Sequence, residues 1–100
     1  MTGYKLTETE IHEALSSLPG WVVKEGKLYK KFEFHSFNEA MGWMVSVAIH
    51  TEVIKHHPIW LNIYNSVEVN LLTYDLGDAI SNLDVELAKK MDELADPLLR

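Results

Sequence analysis

The sequence predicts an α+β fold with the element order α-β-β-α-β-β-α: a four-stranded antiparallel sheet with three helices packed on one face. Three observations carry that prediction. Apolar residues recur at helical spacing in three separate stretches. Two pairs of strand-like runs stand between them. Each pair is joined by a link short enough only for a hairpin. Helices with a one-sided apolar face and hairpin-joined strands bury those faces by layering, which leaves the sheet's other face to solvent or a partner. A chain of 100 residues has the length of one domain, 1–100.

Thr7 and Glu10 form a capping box ahead of the first helix, and Leu6 and Ile11 stand where a hydrophobic staple would close it. Ile11, Ala14, Leu15 and Leu18 make its apolar face, and Pro19-Gly20 ends it. WVVK, the turn EGK and LYKKFEF then predict a hairpin with Leu28, Phe32 and Phe34 on one side; Lys30 falls on that side too and breaks the alternation. Helical spacing resumes at Phe37 and runs to Lys55, with Phe37, Ala40, Met41, Met44, Val45 and Ala48 as the expected core stripe. Trp43, Val47 and Ile54 widen the arc well beyond the ~100° that one core contact uses. Such a helix is expected to be buried on two sides, the second against another copy of the chain, as a homodimer or homotetramer through residues 37–55.

WLNIYN and VEVNLLTYD predict the second hairpin. A three-residue link, Tyr64, Asn65 and Ser66, would pair Ile63 with Val67 and bury Leu61, Ile63, Val67, Val69 and Leu71. The opposite parity would put Glu68 and Asn70 under a helix, which is costly. Ser81 and Asp84 form a second capping box. It opens a helix whose apolar face is Leu83, Leu87, Met91, Leu94 and Ala95, with Pro97 just past its expected end.

Composition narrows the function. A formal charge of −6 argues against a nucleic-acid partner, because phosphate binding needs a basic stripe. Lys27, Lys30 and Lys31 are the only basic cluster and read as a solvated strand edge. The absence of cysteine excludes disulfides and thiolate metal sites. No apolar run approaches the ~20 residues that span a bilayer, and MTGYKLTETE lacks the regions of a signal peptide. The expectation is a cytoplasmic protein.

The dense titratable group is EVIKHHP: Glu52, Lys55, His56 and His57 ahead of Pro58. Proline disfavours helical geometry in the residue before it, so the helix ends here. Glu52 and His56 are four apart and share one side, and Glu52 falls inside the apolar arc, where it would face the core or a cleft. Two readings stay open from these residues. The histidines could be helix-end cations favoured by the dipole by roughly 0.3–1 kcal/mol, or they could supply a base and an acid near neutral pH. Adjacent helical histidines diverge by about 100°, which disfavours a shared metal. Trp60 and Tyr64 are ordinary strand residues or flat surfaces for an aromatic ligand.

The run Glu52-x-x-x-His56-His57-Pro58-x-Trp60-x-Asn62-x-Tyr64-Asn65-x-Val67 resembles the signature of the pterin-4a-carbinolamine dehydratases. Thr73-Tyr74-Asp75-x-Gly77 and Ser81-x-x-Asp84 sit at that family's spacings. The resemblance covers residues 5 to 96 or so and implies the same element order. It implies removal of water from 4a-hydroxytetrahydrobiopterin to give quinonoid dihydropterin, in tetrahydropterin recycling, with no cofactor and no metal. His57 would be the main proton-transfer group, His56 its partner at the hydroxyl, and Glu52 would orient or polarise a histidine. Lys55, Pro58, Trp60, Thr73, Tyr74 and Asp75, with the two histidines, would hold the substrate. The sequence departs from the pattern twice: Val53 stands where a lysine is common, and Tyr74 replaces a third histidine. A phenol with a pKa near 10 exchanges protons poorly at neutral pH. Loss of a true proton-transfer partner would cost ~10²–10⁴-fold. The resemblance also allows an alternative, a weakly active or non-enzymatic member acting as a protein-binding, assembly or transcriptional cofactor. The wide apolar helix and the missing histidine motivate it.

Overall fold

A capping box opens the first helix: the Thr7 hydroxyl accepts from the Glu10 N–H at 3.1 Å, and the Glu10 carboxylate accepts from the Thr7 N–H at 2.9 Å. The computed structural model describes residues 2–99; the two end positions of the expected 1–100 domain lie outside the described residues. Among these residues the order is α1 (Glu8–Leu15), β1 (Val22–Lys24), β2 (Lys27–Glu33), α2 (Phe37–Ile54), β3 (Ile59–Ile63), β4 (Ser66–Leu71), a 3-10 turn (Tyr74–Leu76) and α3 (Asn82–Leu99). The strands form one antiparallel sheet in the order β1-β2-β4-β3. Leu28 and Phe32 of β2 and Val67, Val69 and Leu71 of β4 are buried in one cluster with residues of α2 and α3. The fold is therefore the α+β architecture that the element order predicts.

The first hairpin turns on two residues, Glu25 and Gly26, both left-handed at φ 52° and 78°, so Lys27 belongs to β2. That backbone matches the right-handed twist of the flanking strands. Lys30 does lie on the inner side of β2. Its ammonium lies 4.7 Å from the centre of the Phe32 ring and reaches Asp92 at 2.8 Å and the Pro19 carbonyl at 3.1 Å. The broken alternation is thus a lysine that carries its charge out to the rim.

Helix α2 turns a different apolar arc inward from the expectation, keeping only Ala40 and Met44 of the expected core stripe. Ala40, Trp43, Val47, Thr51 and Ile54 are buried, with Met44 packed beside them. Phe37, Met41, Val45 and Ala48, read as core, are exposed, together with Ile49 and Val53. Trp43 decides the rotation. Its ring lies 4.5 Å from that of Phe32 and 5.2 Å from that of Phe34, and its indole N–H donates to the Met91 carbonyl at 3.0 Å. An indole gains most when its body is buried and its N–H is paired.

The second hairpin has a two-residue link, Tyr64-Asn65, and Ile63 pairs with Ser66. The inner face of β4 is as expected, but the parity of β3 is reversed: Ile59, Leu61 and Ile63 point outward and are exposed. Trp60 and Asn62 point inward. Trp60 packs 6.0 Å from Trp43, and the Asn62 amide donates to the carbonyls of Tyr64 and Ser66 at 3.1 and 2.9 Å. An inward asparagine is tolerated because the turn supplies its acceptors. Helix α3 also runs past Pro97, which occupies its last turn while Leu98 packs on the core.

These registers rank core against surface. Leu71→Ala is expected to cost about 2–5 kcal/mol, and Leu61→Ala to change stability by less than about 0.5 kcal/mol, both read from urea unfolding. The reverse ranking would return β3 to the register with the three-residue link.

Candidate active site

Helix α2 ends by turning its final amides onto one carbonyl. Lys55 takes the left-handed conformation at φ 57°, and the N–H groups of Lys55 and His56 both donate to Thr51 O. Pro58 lies three residues further on and keeps the chain from resuming a helix. The two histidines between these points part company. His56 turns inward and is 8% exposed, while His57 turns outward with its side chain 59% exposed.

Beneath His56 lies a fully buried carboxylate. Asp84 accepts from His56 Nε2 at 2.5 Å on one oxygen. On the other it accepts from the Thr73 hydroxyl at 2.9 Å and the Ser81 N–H at 2.8 Å. Since Thr73 spends its proton on Asp84, the 2.6 Å contact between the Thr73 and Ser81 hydroxyls has Ser81 as donor. Ser81 Oγ in turn accepts from the Leu83 N–H at 3.1 Å. The end of α2, the segment after β4 and the start of α3 are joined by this one chain of bonds. A buried carboxylate is tolerable only when its acceptor sites are filled in this way.

His57 faces a different environment. Its Nε2 meets Glu52 Oε2 at 2.5 Å. That hydrogen bond, and then the charge of His57, hold the Glu52 carboxyl below the ordinary glutamate range; nearby Lys55 adds to the effect more weakly. Beside them opens a groove of about 550 Å³ whose walls include His57, Ile59, Leu72, Tyr74, Asp78 and Lys27. Tyr74 begins the 3-10 turn and is 81% exposed. An imidazole oriented by a carboxylate and a phenol therefore share one solvent-open hollow, a combination suited to proton transfer and hydrogen bonding on a small flat ligand.

The comparisons with known proteins agree with one another. The family model described as "Pterin 4 alpha carbinolamine dehydratase" matches residues 4–94. The chain belongs to the pterin-4a-carbinolamine dehydratase family. A provisionally named pterin-4-alpha-carbinolamine dehydratase of Prochlorococcus marinus is 47% identical over 89 residues, covering 89% of this chain and 92% of the relative. A similarly named protein of Jannaschia is 46% identical over 95 residues, covering 91% and 96%. A crystal structure from Brucella melitensis, described as a transcriptional coactivator/pterin dehydratase, superposes with a TM-score of 0.87 at 38% identity, covering 92% of this chain and 99% of that one.

Within this family member, the residues singled out from the sequence divide into three groups. His57 and Tyr74 both line the groove, and Glu52 is tied to it through its bond to His57, with Lys55 close by. His56 and Thr73 lie behind it, engaged with Asp84. Trp60 packs against Trp43 and not beside His57; the two-residue link that reverses the parity of β3 turns it inward. Tyr64 stands at the far tip of the same hairpin. Strand β4 ends at Leu71, so Tyr74 and Asp75 reach the site from a 3-10 turn and not from a strand. Pro58 is half-buried between His57 and β3, and Asp75 is exposed.

Asp84 was legible from the sequence only as a helix cap. A stronger signal was present: residues 84, 87, 88, 91 and 95 share one helical face, so an acid at the head of that stripe faces inward and needs donors. Removing it would strand His56, Thr73 and the Ser81 amide. Asp84→Ala is expected to lower unfolding stability by about 3–5 kcal/mol, measured by chemical denaturation, and a loss under about 1 kcal/mol would show that the three donors find other acceptors.

Proposed function

We propose that the protein dehydrates 4a-hydroxytetrahydrobiopterin, the pterin-4a-carbinolamine, to quinonoid dihydropterin and water in tetrahydropterin recycling, as a hydro-lyase of one domain acting in the cytoplasm. The observation that carries this reading is the Glu52-bonded His57 lining one groove together with Tyr74 in a member of this family. Glu52 accepts from Nε2–H, which leaves the Nδ1 lone pair of His57 free to take the N5 proton. The N5–H bonding pair then becomes the C4a=N5 double bond as the C4a–O bond breaks. The departing hydroxide takes the proton back from the imidazolium and leaves as water, so one histidine closes the proton balance. Tyr74 donates a hydrogen bond to the leaving oxygen, which needs no net loss of the phenolic proton. The role at the hydroxyl first read for His56 passes to Tyr74, because His56 is nearly buried with its Nε2 on Asp84. His56 is a positioning residue: fastened below, it aims the bend that presents His57. Lys55, Pro58, Thr73 and Asp75 shape the same end of the fold around the substrate.

A second reading rests on its own observation. Phe37, Met41, Val45, Ile49 and Val53 leave a broad apolar face of α2 exposed, more than scattered surface residues account for. This face supports a homodimer or homotetramer through α2. A protein-binding or transcriptional role for the same face accords with the description of the Brucella melitensis relative. Catalysis and partner binding can coexist.

Stopped-flow dehydration of the carbinolamine tests the first reading. Wild type should exceed the spontaneous rate, and His57→Ala should lose ~10²–10⁴-fold of that acceleration; equal rates for the two would sink the assignment. Glu52→Gln should slow turnover about tenfold through misorientation of the imidazole. Because the folded carboxyl titrates below its ordinary value, its contribution is intact above that value and fades only as pH falls through the depressed one. The carboxylate's contribution to the ratio of wild type to Glu52→Gln should therefore be lost only as pH falls below the ordinary glutamate range. For α2, Val45→Glu combined with Ile49→Glu should reduce the sedimenting species to monomer. An unchanged sedimentation coefficient would remove α2 from the interface.

A further inference from the structure

The His57 groove carries three charges that the fold itself does not use. Glu25, Lys27 and Asp78 all line it. Among the described residues, no side-chain hydrogen bond or ion pair engages any of the three. Opposite charges that share one groove without pairing are held apart, and each keeps its hydrogen-bonding capacity open.

The strand registers give their order. Leu28 pairs with Leu71, and Ile59 pairs with Asn70. Continued past the last pairs, these registers set Lys27 and His57 on either side of Leu72, and all three line the groove. Two strand spacings, roughly 10 Å, then separate the backbones of Lys27 and His57. Glu25 lies beyond Lys27, in the β1–β2 turn. The sequence of groups along the groove is therefore His57, Leu72, Lys27, Glu25. Asp78 belongs to the Tyr74 segment instead, its N–H donating to the Tyr74 carbonyl at 3.4 Å.

Glu25 is also an unusual residue for its place. At φ 52°, ahead of Gly26 at 78°, it takes the first central position of a turn that favours asparagine, aspartate or glycine there. A glutamate in that conformation carries a strain that the turn's shape does not require.

We propose that Lys27 and Glu25 determine specificity by reading the 2-amino-4-oxo edge of the ring. The Lys27 ammonium donates to O4, and the Glu25 carboxylate accepts from N3–H and the 2-amino group. The inference rests on the pterin reading of the groove and adds to it the residues that select the ring. One edge of a pterin presents N5, O4, N3–H and the 2-amino group in that order. With N5 at His57, the acceptor O4 falls toward the ammonium and the two adjacent donors fall toward the carboxylate. A carboxylate takes two parallel donors in a charge-assisted fork. A carbonyl at position 2 would set oxygen against Glu25, and an amino group at position 4 would set a donor against Lys27. Charged groups left unmet in this way discriminate strongly.

Calorimetric titration of the full chain with pterin, lumazine and 2,4-diaminopteridine tests the assignment, because these rings differ only in what positions 2 and 4 present. Wild type should bind pterin at least about tenfold more tightly than either of the others. Glu25→Gln should bring lumazine to within about threefold of pterin and keep the discrimination against 2,4-diaminopteridine. Lys27→Met should do the converse. Glu25→Asn suits the turn, so it should raise the thermal midpoint by roughly 4 °C and still lose the preference over lumazine. A Glu25→Asn protein that keeps that preference would overturn the assignment. Equal binding of pterin and lumazine by wild type would overturn it too, as would a preference lost in Asp78→Asn and kept in Glu25→Gln; both outcomes leave the pterin site standing. Failure of wild type to bind pterin would overturn the pterin reading and this inference together.

Discussion

The Asp84 carboxylate is fully buried, and three donors from three parts of the chain converge on it. His56 comes from the end of α2, Thr73 from the segment after β4, and the Ser81 amide from the start of α3. Each of these points is a place where a helix or strand ends and backbone direction would otherwise be poorly determined. A single acceptor that satisfies all three sets those directions relative to one another. Leaving it half-satisfied would cost more than an apolar replacement, so the arrangement is all-or-none. The groove beside His57 inherits its shape from this bond set. His57 follows His56 directly, and Tyr74 follows Thr73 directly.

The paired neighbours show how one buried set can serve an exposed one. At each of the two segments the first residue is tied inward and the next is released outward. In the proposed mechanism the exposed members, His57 and Tyr74, carry the chemistry, and the buried members carry the position. Orientation of His57 is then completed locally by Glu52, one helical turn earlier on α2. A carboxylate that stays ionised well into acid is a steady hydrogen-bond acceptor across the pH range in which an imidazole works.

Helix α2 shows a different economy. Its apolar residues form two adjoining arcs, one closed by the core and one left open. The open arc contains Glu52, so the exposed apolar surface and the carboxylate bonded to His57 lie on the same side of one helix. The sheet repeats the theme in a milder form, with Ile59, Leu61 and Ile63 outward on the edge strand β3. For a domain of this size, so much apolar surface outside the core is a departure from ordinary solvated faces.

The sequence by itself determined the element order, the helix caps at Thr7 and Ser81 and the inner face of β4. These depend on nearest neighbours along the chain: periodicity, caps and prolines act over one or two turns. Only the tertiary structure decided which arc of α2 faces inward, because both arcs are apolar and the choice rests on Trp43 meeting Phe32, Phe34 and the Met91 carbonyl. It also decided the parity of β3. One residue more or less in a turn flips a strand, and the carbonyls that satisfy Asn62 exist only once the hairpin has closed. The same holds for Asp84, a cap on its own helix and a tie across the fold, since its second and third donors lie 28 and 11 residues away in the chain.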